Sequence, residues 1–265
     1  MTTPISMIPY INMAPYRQQG PPPGCHFVPL TPRESIAALI NGDVAAAAVP
    51  VGGLSQLSGR VEFIGKFGIG ARKTVMSVLM RSRVPFEAMK APKTLHVTSH
   101  TASSVRLLYL LMGKTFGFDV LPGDAHGDEA ADGELVIGDK ALIYYQKPDL
   151  STFPYLTDLA EKWFELTGLS FVFARWVVRC DAPNTLKTAL NDWLERFREK
   201  EPELTEAAIP DAARRIGVGH GVIREYFKVI RRSLDDQDLE GQARFSALLA
   251  EHNALPAFQE LDRLR

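Results

Sequence analysis

The sequence predicts an α/β fold of two lobes joined by a hinge, with an interlobe cleft and a helical C-terminal part. Three observations carry this. Short apolar runs bounded by turn residues alternate with amphipathic stretches through the first two thirds of the chain, the pattern of strands flanked by helices. Two such units are separated by chain crossings near residues 82–92 and 170–180, which places one lobe at 1–84 plus 178–265 and the other at 85–177. From residue 184 onward the apolar positions recur at helical spacing.

Each element follows from local signals. Residues 5–11 read as a first short strand despite Pro9, ending in the turn Asn12-Met13-Ala14-Pro15-Tyr16. Pro21-Pro22-Pro23-Gly24 is a loop. In Thr31-Pro32-Arg33-Glu34, Thr31 is an N-cap, Pro32 the first helical position and Glu34 the completion of a capping box; that helix ends near Asn41-Gly42. Residues 44–49 form a buried strand, and Pro50-Val51-Gly52-Gly53 leads into a helical turn. Strands follow at 61–67 and 75–80, and Arg81-Ser82-Arg83-Val84-Pro85 changes the chain's direction.

The second unit starts at Thr94: a strand, a helix over 101–114, a strand near 118–121, a Gly- and Asp-rich loop, a strand over 134–137 and a helix from Asp139. Residues 157–167 form an amphipathic helix bearing Leu159, Trp163 and Leu166, stopped by Gly168. A β-rich run over 169–178 crosses back, carrying Phe171, Phe173 and Trp176. Helices at 186–200, 203–216, 221–232 and 239–252 complete the chain. The alternation predicts mostly parallel sheets covered by helices on both faces. Trp163, Phe164, Phe171 and Phe173 read as core.

Composition narrows the function. A chain of 265 residues buries a large core, as one long domain or two lobes. Thirty Lys and Arg against 31 Asp and Glu predict no broad footprint for nucleic acid or anionic lipid, so an anion must be held by local groups. The N-terminus lacks a basic n-region and an uninterrupted apolar h-region, and no apolar run approaches the roughly 20 residues that span a bilayer, so a cytoplasmic protein is expected. Cys25 and Cys180 lie far apart without metal-ligand spacing; two reduced thiols are favoured, with a disulfide left open.

No P-loop, GxGxxG, HExxH or GxSxG motif is present, and the histidines show no metal-ligand spacing. Gly217-Val218-Gly219-His220-Gly221 links helices without the phosphate-loop Lys and reads as a helix break. The most informative segment is Thr98-Ser99-His100-Thr101-Ala102-Ser103-Ser104, with five hydroxyls in seven residues between a strand and an apolar helix. Orphan N–H groups, hydroxyl donors and the positive helix end together suit a carboxylate or phosphate; a helix N-cap with spare serines is the alternative. His100 lies within it, either as a neutral imidazole at a helix N-terminus or as an exposed loop residue.

Asn12 can hold a ligand through its amide or close its own turn. Asp139 either meets the ligand or caps its helix, and Arg72 and Lys73 either reach an anion or form a solvated pair. Ligands in such folds sit in the crevice at the ends of strands. Asn12, Pro50, the hydroxyl-rich turn and Gly138-Asp139 all follow expected strands, so they should converge on one cleft.

Several segments together resemble the menaquinone-biosynthesis family of chorismate dehydratase and its relatives. They are Ile8-Pro9-Tyr10-Ile11-Asn12-Met13-Ala14-Pro15, Val97 through Val105, Ile137-Gly138-Asp139-Lys140-Ala141-Leu142 and, most specifically, the long stretch from Thr157-Asp158-Leu159 to Ala174-Arg175-Trp176. The resemblance covers nearly the whole chain and weakens through the C-terminal helices. It implies the periplasmic-binding-protein-like (type II) fold, and dehydration of chorismate to 3-[(1-carboxyvinyl)oxy]benzoate on the futalosine route to menaquinone. It implies no metal or organic cofactor, and a small carboxylate as partner rather than nucleic acid or membrane.

On this basis Asn12, Ser99 and Thr101 are expected to act in catalysis, with the substrate's own side-chain carboxylate as a candidate base. Thr98, His100, Ser103, Ser104, Asp139, Pro50 and Arg72 are expected to bind substrate. Two loops depart from the family. Pro50-Val51-Gly52-Gly53 lacks its usual serine, and Gly68, Lys73 and Thr74, with Arg72 adjacent, stand where it commonly reads Ser…Gly-Pro-Val. The alternatives are a solute-binding or sensing protein, a divergent relative for another small cyclic carboxylate, and the sister enzyme acting on cyclic dehypoxanthine futalosine.

Overall fold

Eleven short strands and eight α-helices, numbered in chain order, occupy the residues that the computed structural model describes: 2–89, 94–97, 101–116, 123–124 and 131–252. The first sheet contains β1 (Thr3–Met7), β2 (Cys25–Pro29), β3 (Ala46–Pro50), β4 (Val61–Ala71), β10 (Phe171–Arg179) and β11 (Arg231–Ser233), in the order β11-β4-β10-β3-β1-β2. The second contains β5 (Val78–Ser82), β6 (Thr94–Val97), β7 (Gly123–Asp124), β8 (Gly133–Ile137) and β9 (Tyr155–Asp158), in the order β7-β6-β8-β5-β9.

The helices are α1 (Ala14–Gln19), α2 (Pro32–Asn41), α3 (Ser103–Phe116), α4 (Gly138–Gln146), α5 (Leu159–Thr167), α6 (Asn184–Ile216), α7 (His220–Val229) and α8 (Asp236–His252). The strand expected near 118–121 lies outside the described residues.

Both sheets are mixed, which corrects the expectation of mostly parallel ones. β1 pairs parallel with β2 and β3, but β10 runs antiparallel to β3 and β4, and β5 antiparallel to β8 and β9. The reason is the connectivity. Strands joined through a helix return parallel, whereas strands at a crossing between sheets enter from the far end. The chain passes from β4 to β5 over residues 72–77, and from α5 to β10 over 168–170. These passages lie several residues to the N-terminal side of the expected lobe limits, so β5 pairs wholly in the second sheet and β10 in the first.

Local chemistry explains most boundaries. The capping box of α2 forms: Glu34 N donates to Thr31 Oγ1 at 3.4 Å and Thr31 N to Glu34 Oε2 at 2.7 Å. Gly42, in the left-handed region at φ 82°, ends that helix. β1 stops before Pro9, and the chain turns through a 3₁₀ segment, Ile11–Met13, straight into α1. Between Asn184 and Ile216 the helix is continuous through Pro202, where a break was expected. Leu190, Trp193, Leu194 and Phe197 before it and Ala208, Ile209, Ala212 and Ala213 after it are all buried. That packing on both sides outweighs the ~3 kcal/mol that an interior proline costs.

Asp158 organises the first crossing. Its carboxylate caps α5 through Ala160 N and Glu161 N, and accepts from Thr74 Oγ1, Val75 N and Met76 N at 2.7–2.9 Å. Met76 sits at φ 61°, the only non-glycine among the described residues with a positive φ.

At the second crossing, Trp163, Phe171 and Phe245 meet edge-to-face, with Trp163–Phe171 centroids 5.5 Å apart and Phe171–Phe245 centroids 4.9 Å apart. Helix α8 lies so close there that a Cβ on Gly241 would stand 1.9 Å from Ser170 O. One apolar cluster runs through both lobes, from Ile5 and Trp176 to Leu107 and Trp163. Among the described residues no helix is long and apolar enough to cross a membrane. Cys25 is buried, Cys180 is exposed, and both are free.

Candidate active site

The strand ends of both sheets face one cavity. From the first lobe it is lined by Ile8, Tyr10, Asn12, Pro32, Pro50, Ile69, Phe173, Ala174 and Ile230; from the second lobe and the crossing, by Val75, Ser77, Val78, Thr101 to Ser104, Ile137 and Gly138. Its walls are mainly apolar, with a few convergent polar groups, the usual make-up of a small-molecule site.

Asn12 sits on the 3₁₀ turn between β1 and α1. Its carbonyl is fixed by Arg232 Nε at 3.1 Å, while its side-chain Oδ1 is buried without a hydrogen-bond partner among the described residues. A buried acceptor left unpaired costs about 1–3 kcal/mol, so this oxygen is suited to an incoming donor.

The N-terminal turn of α3 supplies the hydroxyls. Thr101, Ser103 and Ser104 are 6%, 3% and 6% exposed. Thr101 Oγ1 accepts from Val105 N at 3.3 Å and keeps its proton for another acceptor. Ser104, buried on the same turn, lines the cavity.

Ser103 has a different occupation: its Oγ accepts from Gly52 N at 3.0 Å and donates to Phe173 O at 2.9 Å, tying the lobes together. This explains the departure at residues 50–53. A Cβ on Gly52 would stand 2.6 Å from Ala102 O and 2.8 Å from Ser103 Cα, so the backbones meet only because residue 52 has no side chain. Pro50 lines the cavity beside them.

Two expected ligands of the substrate are engaged elsewhere. Arg72 does not line the cavity; it donates to Gln237 and lies 3.6 Å from Asp235, near the start of α8. The turn before β5 is drawn to Asp158, which leaves Arg72 on the outer side of the crossing. Asp139 lies at the start of α4 but neither lines the cavity nor caps its own helix. It accepts from Ile11 N at 2.9 Å and pairs with Arg215 at 2.6 Å, both in the first lobe. Thr98, Ser99 and His100 lie outside the described residues.

Tyr10, Ser77 and Phe173 line the cavity without having been expected there. Tyr10 stacks on Gly138, where a Cβ would meet its ring at 3.0 Å. Burial, with the charges of Asp139 and Glu34, pushes its phenol up to about 12. Ser77 is 4% exposed; Tyr226, from α7, donates its hydroxyl to Ser77 Oγ at 3.0 Å, which leaves the serine proton to be given to a ligand. Phe173, read as core, closes one wall. No group of His, Cys, Asp and Glu suited to a metal ion occurs among the described residues.

The sequence profile of a family described as menaquinone biosynthesis matches residues 3–251. Among curated relatives, a chorismate dehydratase of Thermus thermophilus is 28% identical over 257 residues, covering 91% of this chain and 92% of the relative. A chorismate dehydratase of Campylobacter jejuni is 29% identical over 174 residues, 64% of each chain. A Candida albicans gene product described as exhibiting the generic periplasmic binding protein fold superposes with TM-score 0.64 at 11% identity, covering 100% of this chain and 95% of that one. The periplasmic aliphatic sulphonate binding protein of Escherichia coli gives 0.61 at 14% identity, covering 98% and 96%. At such identities the likeness establishes the two-lobed binding-protein fold.

Proposed function

The chain belongs to the menaquinone biosynthesis family, and we propose that it is a hydro-lyase that dehydrates chorismate to 3-[(1-carboxyvinyl)oxy]benzoate. The observation that carries this reading is the pairing of an unpartnered Asn12 Oδ1 with the hydroxyls of Thr101, Ser104 and Ser77 around one apolar cavity. The named relatives supply the substrate class.

The reaction removes the C3 proton and the C4 hydroxyl as water, and the ring gains the double bond that makes it aromatic. Because aromatisation already favours the products, the protein's work is positioning and electrostatics. Asn12 holds the leaving hydroxyl by accepting its hydrogen through Oδ1. Thr101, Ser104 and Ser77 donate to substrate oxygens, aided by the positive end of α3 at one carboxylate. Thr98, Ser99 and His100, which precede Thr101 in the sequence, are assigned with them. Ile8, Ile69, Val78 and Phe173 face the ring and limit water.

The base is assigned to the substrate's own enolpyruvyl carboxylate, which stays attached through the ether oxygen at C3, takes the C3 hydrogen as a proton and returns it to the hydroxide leaving C4, giving water. The same reading puts the protein on the futalosine route in the cytoplasm.

Purified protein mixed with chorismate should yield a product one water lighter, read by mass spectrometry. Asn12→Ala should lower turnover by on the order of a hundredfold, the scale for losing one well-placed transition-state hydrogen bond. Full turnover by that variant would sink the assignment of Asn12. A second reading follows from the fold shared with the sulphonate binding protein, a cleft that closes on a ligand without reaction. Thermal stabilisation by chorismate without product would select it.

A further inference from the structure

The turn that carries Asn12 is held by charged side chains from both lobes. Within the first lobe, Arg17 on α1 donates to Ile8 O and to Tyr10 O, each at 3.0 Å. Arg232 on β11, 1% exposed, donates to Asn12 O and pairs with Glu201 at 3.2 Å. Arg215 on α6 donates to Pro9 O. Among the described residues, the second lobe contributes the Asp139 carboxylate. Its Oδ1 takes the Ile11 amide hydrogen at 2.9 Å, one residue before Asn12, and its Oδ2 takes Arg215 at 2.6 Å.

We infer that Asp139 is a positioning residue: by accepting from Ile11 N and Arg215 across the cleft, it fixes the rotation of the Ile11–Met13 turn and so the aim of the Asn12 side chain. The inference rests on the reading of Asn12 as a group that grips the substrate. The three arginines lie in the same lobe as the turn and stay with it however the lobes move. Asp139 reaches Ile11 only when the lobes are together. Parting them strips the Ile11 amide of its acceptor, and removes a carboxylate that partly offsets the burial and the Arg215 charge holding Arg17 below the ordinary guanidinium range.

Gly138 makes the contact possible. At φ 63° and flat against the Tyr10 ring, it leaves no side chain between the start of α4 and the turn. Closure of the cleft and registration of Asn12 are therefore one event, already made in this structure.

The test compares the full-length protein with Asp139→Ala and Asp139→Asn, after circular dichroism has shown that each is folded. Asp139→Asn keeps an oxygen for Ile11 N and loses the charge that pairs with Arg215. Two readouts are taken: steady-state kinetics on chorismate, and amide hydrogen exchange over residues 8–13 without any ligand. Asp139→Ala should lower kcat by on the order of tenfold or more while KM moves by less than about threefold, the signature of an interaction that matters after binding.

Asp139→Asn should retain more of kcat, and exchange of the Ile11 amide should quicken most in Asp139→Ala. An unchanged kcat, a rise in KM alone, or unchanged exchange would each overturn the inference; a rise in KM alone would return Asp139 to direct substrate contact. If the unaltered protein fails to convert chorismate, the proposed function fails instead. The exchange comparison needs no substrate and still decides whether Asp139 holds the turn.

Discussion

Ser103 shows how much one hydroxyl can carry at this site. It accepts from Gly52 N and donates to Phe173 O, so Ser103→Ala orphans a buried amide of the first lobe. A loss of about 1–3 kcal/mol is expected, seen as a lowered urea midpoint. Gly52→Ala should do at least as much harm, because its methyl would meet backbone atoms that cannot swing aside. Preserved stability in both variants would show that the lobes do not meet there in solution.

The phenols give a pH dependence with a definite sign. Tyr10 is raised to about 12, chiefly by burial, and burial raises Tyr16 and Tyr226 further. In each case the folded state keeps a proton that the unfolded chain releases near pH 10. The unfolded state then binds fewer protons, so stability is complete below about pH 10 and falls as pH rises through 12. Ultraviolet titration with parallel melting curves would show it; phenols titrating near their ordinary value in the folded protein would refute it.

At the scale of elements, the Asp158 carboxylate joins α5 to the segment that leads into β5. Asp158→Ala uncaps the helix and frees Thr74, Val75 and Met76 at once. The expected cost is about 2–4 kcal/mol, combining a lost cap with orphaned buried amides. The loss should exceed that of Thr31→Ala at the start of α2, about 1 kcal/mol, where only the cap is at stake. Differential scanning of both variants compares them directly; equal losses would show that Asp158 does no more than cap.

The contrast between these two helices also marks how far local sequence can be read. The α2 capping box is complete within four residues, so its signal was plain. The partners of Asp158 outside its own helix, Thr74, Val75 and Met76, stand more than eighty positions away, and nothing beside it announces them. Tyr10, Ser77 and Tyr226 were missed for the same reason. Ser77 lay inside an expected strand, and Tyr226 on a helix face whose apolar spacing read only as core. Asn12 and the hydroxyl-rich turn were visible because polar side chains at strand ends stand out against apolar neighbours. Asp139 stood out equally, yet its partner is a backbone amide of the other lobe, which no side-chain pattern reveals.

Across the whole molecule, the apolar cluster that runs through both lobes predicts one cooperative unfolding transition rather than two. Calorimetric and van't Hoff enthalpies should agree; two resolved transitions would show lobes that fold independently. A ligand that binds only the folded cleft adds RT ln(1 + [L]/Kd), about 2.7 kcal/mol at a hundredfold excess over Kd. The lobe assignment along the chain was harder to read than the fold class. Strands β5 and β10 look alike in either sheet, and only their antiparallel pairing shows to which they belong.

The close seating of α8 on the second crossing has a mechanical corollary. Where Gly241 rests against Ser170 O, the helix seats directly on the crossing, with Phe245 set against Phe171. A methyl at residue 241 would push the helix away from Ser170 O without touching any residue that lines the cavity. The seating of α8 on the crossing thus depends on one side chain that is not there.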